Sequence, residues 1–165
     1  MNSARTLQVS AQAEREIVMT RSFDAPREMV FDALTKPELL KRWLHGPDGW
    51  MLETCEVDLR VGGQIRYVWR KHTGAEMGMR GTFREIDAPR RIVSTELFDE
   101  DWTQGEVIST QELAEESGVT TLTNTLHYSS REARDNVLKS GMERGVAASY
   151  DRLARIVLPS RLAVP

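Results

Sequence analysis

Hydrophobic and polar residues alternate with a period of two along the middle of this chain, which is typical of β-strands. Six strands are predicted, at 50–58, 64–71, 77–86, 91–98, 106–115 and 119–128, and another at 16–23 precedes them. The segments between neighbouring strands are short and rich in glycine, proline, serine and aspartate. Short turns join antiparallel strands, so the pattern predicts an antiparallel meander rather than a parallel sheet with crossover helices.

Helical spacing of the apolar residues marks three further segments. Asp24 and Pro26 predict the start of a short helix, and Pro37 ends it and starts a second one over 38–44. Ser129 and Glu132 fit a capping box at the start of a long C-terminal helix that runs to about residue 157. Its apolar stripe comprises Leu138, Met142, Val146, Ser149, Leu153 and Ile156.

The order of these elements predicts an α+β fold. A curved antiparallel sheet of six or seven strands would wrap around the long C-terminal helix, with two short helices after the first strand. Residues 1–14 and 159–165 are predicted to be tails, the first of them flexible, and 15–158 a single domain. Because side chains fill the space between a curved sheet and a straight helix incompletely, we expect an internal cavity there.

Composition limits the classes of protein to which this chain could belong. The 165 residues include 40% hydrophobic and 28% charged residues, as in an ordinary globular domain. A net charge of −3 argues against a nucleic-acid partner. The sequence contains neither an apolar run long enough for membrane insertion nor a secretory signal, so a cytoplasmic protein is expected. The single cysteine, Cys55, excludes an intrachain disulfide.

Several short motifs, in this order and spacing, carry a family resemblance. They are Asp24-Ala25-Pro26, Leu34-Thr35-Lys36-Pro37-Glu38 with Trp43, Asp58-Leu59-Arg60-Val61-Gly62-Gly63, Gly81 with the residues 85–93, and Gly141-Met142 with Gly145 and Leu153. With them the chain resembles the START-like, or SRPBCC, superfamily, and within it the activator of heat-shock protein 90 ATPase homologue-like (AHSA-type) group. The resemblance implies a helix-grip fold, also called START-like or Bet v-like, in which the sheet encloses a hydrophobic cavity under the C-terminal helix.

Large apolar and aromatic residues are the candidates for the lining of that cavity. Alternation places Tyr67 and Trp69 on one face of their strand, and Met79 on one face of the next. Flexible methionines and flat rings suit a pocket for an apolar or aromatic ligand, although the same residues could simply fill the core. The candidate ligand-binding residues of this apolar type are Trp43, Tyr67, Trp69, Met79, Met142, Val146 and Tyr150.

Four polar strand residues are further candidates: Arg80, Glu96, Thr110 and His127. A Glu96 carboxylate paired with the Arg80 guanidinium could hold the polar end of a ligand or transfer a proton. The alternative is that Glu96 faces solvent. His127 lies on the same face of its strand as several threonines. Because this face is polar, we expect His127 to be exposed.

No cofactor or metal ion is expected. The histidines, His45, His72 and His127, lie far apart in the sequence, without a metal-binding spacing. A serine nucleophile motif and a phosphate-binding glycine loop are also missing, so no catalytic residue can be named. The acidic loop before Trp102 is long enough to form the mouth of the cavity.

Three functions stay open at this point. The first is binding of a small hydrophobic or aromatic molecule in the cavity. The second is an enzyme of the cyclase or hydrolase type that uses Glu96 with Arg80 or a tyrosine. The third is a co-chaperone-like interaction module; such co-chaperones carry an extra N-terminal domain, whereas about fifteen residues precede the first predicted strand here. A homodimer is kept open as well.

Overall fold

The computed structural model describes residues 5–158. In chain order the elements are β1 (Gln8–Gln12), β2 (Glu16–Phe23), α1 (Arg27–Thr35), α2 (Pro37–Trp43), β3 (Trp50–Val57), β4 (Gln64–Lys71), β5 (Glu76–Asp87), β6 (Arg91–Phe98), β7 (Val107–Glu116), β8 (Val119–His127), α3 (Arg131–Lys139) and α4 (Met142–Ile156). The strands form one antiparallel sheet in the order β1-β2-β8-β7-β6-β5-β4-β3. The predicted α+β helix-grip fold is confirmed, with eight strands instead of six or seven.

The additional strand is β1, which lies in the segment predicted to be a flexible tail. It pairs with β2 along its whole length at the edge of the sheet, from Gln8 opposite Thr20 to Gln12 opposite Glu16. Its side chains are exposed apart from the half-buried Val9. An edge strand with so little buried surface has hardly any apolar alternation, and the sequence pattern missed it for that reason. The predicted tail at 159–165 lies outside the described residues.

The C-terminal helical region is also divided differently from the prediction. Instead of one long helix, α3 ends at Lys139 and α4 begins at Met142, with a break at Gly141. Gly141 has a φ of +80°, a left-handed conformation that glycine adopts without the steric cost of a side chain. Gly141 is thereby the N-cap residue of α4.

At the starts of α1 and α3, the capping differs from the prediction. Ser130 caps α3 by accepting the Ala133 amide at 3.0 Å, whereas the predicted cap, Ser129, donates its hydroxyl to the Gln104 carbonyl. Helix α1 begins after Pro26 without a side-chain cap, and Asp24 forms an ion pair with Arg5 instead. The positions of both helices nevertheless follow the sequence signals.

The hydrophobic core consists of two clusters on the concave face of the sheet. The larger one joins α1, α2 and the C-terminal half of α4 to the sheet, around Phe23, Leu122 and Leu153. The smaller one joins α3 to β2 and β8, around Ile17 and Val137. Residues from both clusters border a cavity that lies between them.

Candidate functional site

A cavity of about 560 Å³ lies between the sheet and α4. Residues of both core clusters border it, among them Met19 and Leu126 from the smaller cluster and Trp43, Ile65 and Phe83 from the larger one. The volume falls within the range of roughly 300–1,000 Å³ that is usual for small-molecule sites. The cavity therefore lies between the two hydrophobic clusters, and Val146 of α4 packs against both of them.

One wall of the cavity is made by alternate residues of β4 and β5. Ile65, Tyr67 and Trp69 point inward from β4, as the alternation predicts. Met77, Met79 and Phe83 do the same from β5, and the register places Tyr67 opposite Met79. Apolar side chains and aromatic faces therefore form a continuous surface on this side.

Hydrogen bonds hold two of the indole rings in place. The Nε1 of Trp43 donates to the Ala33 carbonyl at 2.8 Å, and the Nε1 of Trp69 donates to the Leu44 carbonyl at 2.9 Å. These bonds satisfy the polar atom of each ring with backbone oxygens. The carbon faces of the rings are thereby left to the cavity.

Glu96 brings a carboxyl group into this apolar surrounding. It borders the cavity from β6 together with Ser94 and Phe98, its neighbours two positions away on the strand. Burial raises the pKa of Glu96 to about 7, because the charged form loses its hydration. Within residues 5–158, no hydrogen bond or ion pair to the Glu96 carboxyl is found.

Three tyrosines surround the cavity near Glu96, and each phenol interacts electrostatically with its carboxyl group. Burial raises the pKa of Tyr67 and Tyr128 above its ordinary value, with a contribution from Glu96. Burial also raises the pKa of Tyr150 to about 12, against the lowering effect of a hydrogen bond with Asn124. All three hydroxyl groups are therefore protonated near neutral pH and can donate a hydrogen bond.

A hydrogen-bonded pair beside Tyr150, formed by Ser109 and Asn124, was not among the predicted site residues. The Ser109 hydroxyl donates to Oδ1 of Asn124 at 3.0 Å, and both side chains are buried at the cavity. With Oδ1 engaged, the Nδ2 group of Asn124 is the side that can donate to Tyr150, and this interaction lowers the pKa of the phenol. The sequence signal for Asn124 was its place between Leu122 and Leu126, two positions from each, on the buried face of β8.

Arg80 does not reach the cavity, so the predicted Glu96–Arg80 pair is wrong. The Arg80 side chain is 57% exposed on the opposite face of the sheet, where it donates to Oδ1 of Asp99 at 3.2 Å. Arg66 binds the same carboxylate through both of its terminal nitrogens at 2.8 Å. Strand parity explains the difference, because Arg80 directly follows the inward-pointing Met79.

Two further polar candidates also lie away from the cavity. Thr110 falls between the lining residues Ser109 and Gln111 and therefore points to the other face of β7. His127 lies 3.4 Å from a carboxylate oxygen of Glu16 at the surface, in agreement with the exposure favoured from the sequence. The seven apolar candidates and Glu96 line the cavity, whereas Arg80, Thr110 and His127 do not.

The cavity reaches solvent next to the break between α3 and α4. Lining residues that are also exposed there include Met77 at 37%, Trp102 at 40% and Gly141. Trp102 packs on Phe98 with ring centroids 5.4 Å apart, so the acidic loop carries an aromatic ring to the opening. Gly145 of α4 approaches the Pro47 ring closely, and both residues line the cavity.

Other groups give no sign of a different chemistry. Burial raises the pKa of the Cys55 thiol to about 11, so this cysteine is protonated and a poor nucleophile at neutral pH. Between residues 5 and 158, no three histidine, cysteine or acidic side chains lie together as a metal site would need. In the same part of the chain, no helix is long and apolar enough to cross a membrane.

Solved structures similar to this chain come from several bacteria. A protein from Rhodobacter sphaeroides is 32% identical, with a TM-score of 0.86, and the match covers 92% of this chain and 97% of that one. A protein from Nitrosomonas europaea is 25% identical, with a TM-score of 0.79 and coverage of 92% and 99%. An AHSA1-like protein from Aeromonas hydrophila shares the fold at 20% identity, with a TM-score of 0.67 and coverage of 84% and 93%.

At the level of sequence, the comparison with curated proteins gave no significant match. The family model described as "Activator of Hsp90 ATPase homolog 1-like protein" matches residues 24–157. That range extends from the residues before α1 to the end of α4 and includes most of the residues around the cavity. The chain therefore belongs to the AHSA1 family of START-like proteins.

Proposed function

We propose that this protein binds a small hydrophobic or aromatic molecule in the cavity between its sheet and α4. The observation that carries the proposal is a cavity of about 560 Å³ whose lining surface is predominantly apolar. Transfer of apolar ligand surface from water into such a site is favourable, at roughly 25 cal/mol per Å². The polar groups, Glu96 and Tyr150 among them, would orient the ligand.

Methionine side chains make the proposed site adaptable. Met77, Met79 and Met142 border the cavity from two sides, and an unbranched thioether can take up several conformations at little cost. Fixed indole rings would supply flat contact surfaces beside them. The combination suits ligands of one chemical class that differ in shape.

An enzyme of the cyclase or hydrolase type is the second candidate, and Glu96 is the observation that favours it. A carboxyl group with a pKa of about 7 can both accept and donate a proton near neutral pH. The hydroxyl groups of Tyr128 and Tyr150 interact with it electrostatically and could stabilise a developing negative charge. Turnover of a bound ligand that Glu96→Gln abolishes, with binding retained, would establish this function.

A homodimer and a chaperone partner stay predictions. The co-chaperone alternative requires an exposed apolar surface, and the large exposed hydrophobic residues include Met51, Leu59 and Val61 near the β3 edge. Nothing in the structure indicates what would cover them. Binding in the cavity is therefore the function that we put forward.

The test of ligand binding uses N-phenylnaphthylamine, a neutral dye that fluoresces in apolar surroundings. The protein should bind the dye saturably, with about one molecule per chain. Met142→Trp should weaken binding by about tenfold or more, which corresponds to about 1.4 kcal/mol of binding free energy, because the larger side chain takes up space that the ligand would occupy. Met51→Trp is the matched control, because Met51 is 60% exposed and is not a lining residue.

Absence of saturable dye binding to the wild-type protein would contradict the proposed function. Unchanged affinity in a folded Met142→Trp protein would place the binding site somewhere other than under α4. Circular dichroism and thermal unfolding of both variants establish that they are folded before the affinities are compared.

A further inference from the structure

The charge around the cavity is unbalanced. Among its lining residues Glu96 is the one carboxylate, and neither lysine nor arginine is present. The remaining titratable lining groups are the three tyrosines and His45, whose Nε2 lies 2.6 Å from the Lys41 carbonyl oxygen. When Glu96 is ionised, its negative charge therefore has no positive partner from the chain within the described residues.

The arginines of β4, β5 and β6 are paired with carboxylates on the outer face of the sheet. Arg66 and Arg80 bind Asp99, and Arg84 donates to Glu106 at 3.3 Å. Arg91 donates to Glu112 at 2.8 Å. In these three strands the paired cations lie outside and the unpaired carboxyl group inside. The buried Arg21 of β2 lies 3.2 Å from a carboxylate oxygen of Asp151 and is not a lining residue.

A series of aromatic rings extends from the vicinity of Glu96 to the opening. The centroids of Tyr67 and Trp69 are 5.7 Å apart, those of Trp69 and Phe98 6.5 Å, and those of Phe98 and Trp102 5.4 Å. The faces of such rings carry a partial negative charge and attract a cation within roughly 6 Å of the centroid. Tyrosine, tryptophan and phenylalanine faces next to a carboxylate are the groups that recognise a positively charged nitrogen.

From this arrangement we infer that the ligand is a hydrophobic amine, with a positively charged nitrogen near Glu96 and an apolar or aromatic body along the ring series. The inference rests on the proposed function, because it specifies the chemistry of the molecule in the same cavity. A ligand carboxylate would instead face the charge of Glu96 without a nearby cation. A neutral ligand would leave the carboxyl group without an ionic partner.

The test compares three probes that share one apolar body and differ in charge: phenylbutylamine, phenylbutanol and phenylbutanoate. Binding is followed by tryptophan fluorescence excited at wavelengths where the probes do not absorb. The amine should bind at least ten times more tightly than the alcohol, and the carboxylate more weakly than both. Glu96→Gln should remove the preference for the amine and leave the affinity for the alcohol nearly unchanged.

Glu112→Gln is the matched control. It removes a carboxylate from the outer face of the adjacent strand, where Glu112 binds Arg91, and should keep the preference for the amine. A second measurement needs no variant. Near pH 7 a bound ammonium group should ionise Glu96, so calorimetry in buffers of different ionisation enthalpy should detect proton release with the amine but not with the alcohol.

Each outcome separates the inference from the proposed function. Similar affinities for all three probes, or a preference for the alcohol or the carboxylate, would contradict the inference that the ligand is an amine. The proposal that the cavity binds a ligand would still stand. Amine preference that persists in Glu96→Gln, or amine binding without proton release, would also overturn it. No binding of any probe, together with no dye binding, would contradict the proposed function itself.

Discussion

Glu96 combines a charged group with an apolar setting, and this combination has a cost in stability. In the unfolded chain the carboxyl group ionises near its ordinary pKa of 4.5, whereas in the folded protein burial raises the pKa to about 7. Between these two values the unfolded state has lost the proton and the folded state has kept it. The free energy of unfolding therefore falls as the pH rises through this window and is constant above it, as far as Glu96 is concerned.

Glu96→Gln should accordingly stabilise the protein at high pH. At pH 8 we expect the variant to be more stable by an amount on the order of 3 kcal/mol, less where water in the cavity hydrates the carboxylate. At pH 4 both states of the wild-type carboxyl are mostly protonated, so the difference should nearly vanish. Urea unfolding at a series of pH values measures the difference in unfolding free energy between the variant and the wild type. A difference that does not change with pH would contradict the burial of the Glu96 carboxyl group.

Strand parity determined which individual residues could be predicted. The inward positions of Tyr67, Trp69 and Met79 follow from alternation, because the strand boundaries were nearly correct. The pairing of Glu96 with Arg80 failed because the two residues lie on opposite faces of the sheet. The bond between Ser109 and Asn124 depends on the register of β7 and β8, which alternation within one strand does not contain.

At the scale of elements, the strength of the periodic signal decided what was predicted. The strands β2 to β8 each have an alternating or buried pattern, and the predicted segments agree with them within one or two residues at each end. Strand β1 has almost no buried side chain, so its pairing with β2 left no pattern to detect. The division of the long helix at Gly141 was missed because Leu138, which is 37% exposed, has the spacing of the α4 stripe and made the pattern look continuous.

Two glycines without a positive φ should respond differently to replacement by alanine. A Cβ at Gly81 would lie 2.0 Å from the Thr95 carbonyl oxygen, so β5 and β6 would have to separate. We expect Gly81→Ala to destabilise the fold by ~2 kcal/mol or more, by analogy with overpacked cores. A Cβ at Gly145 would meet the Pro47 ring at 3.3 Å, and alanine favours the helix by about 1 kcal/mol, so Gly145→Ala should change stability by less than that.

Chemical denaturation of the two variants measures both effects under the same conditions. The comparison is matched, since neither glycine has a positive φ and the two differ in what the new methyl group would contact. A Gly81→Ala protein as stable as the wild type would show that β5 and β6 are not as closely packed as the structure has them.

At the scale of the whole molecule, the cavity follows from the architecture. A curved eight-stranded sheet contacts α4 and α3 through separate hydrophobic clusters, and the space between the clusters is not filled. The general form of this arrangement could be predicted from the order of the elements. The chemistry of the lining could not, because it depends on which face of each strand turns inward and on how the helical region divides.

Methyl NMR of a protein labelled at its methionines tests the central claim most directly. Met19, Met77, Met79 and Met142 border the cavity, whereas Met29 and Met51 do not. Titration with N-phenylnaphthylamine should shift the first four methyl signals saturably, through ring currents of the bound dye, and leave that of Met51 in place. Shifts confined to Met29 and Met51, or no saturable shift in the four lining methyl groups, would contradict a binding site under α4.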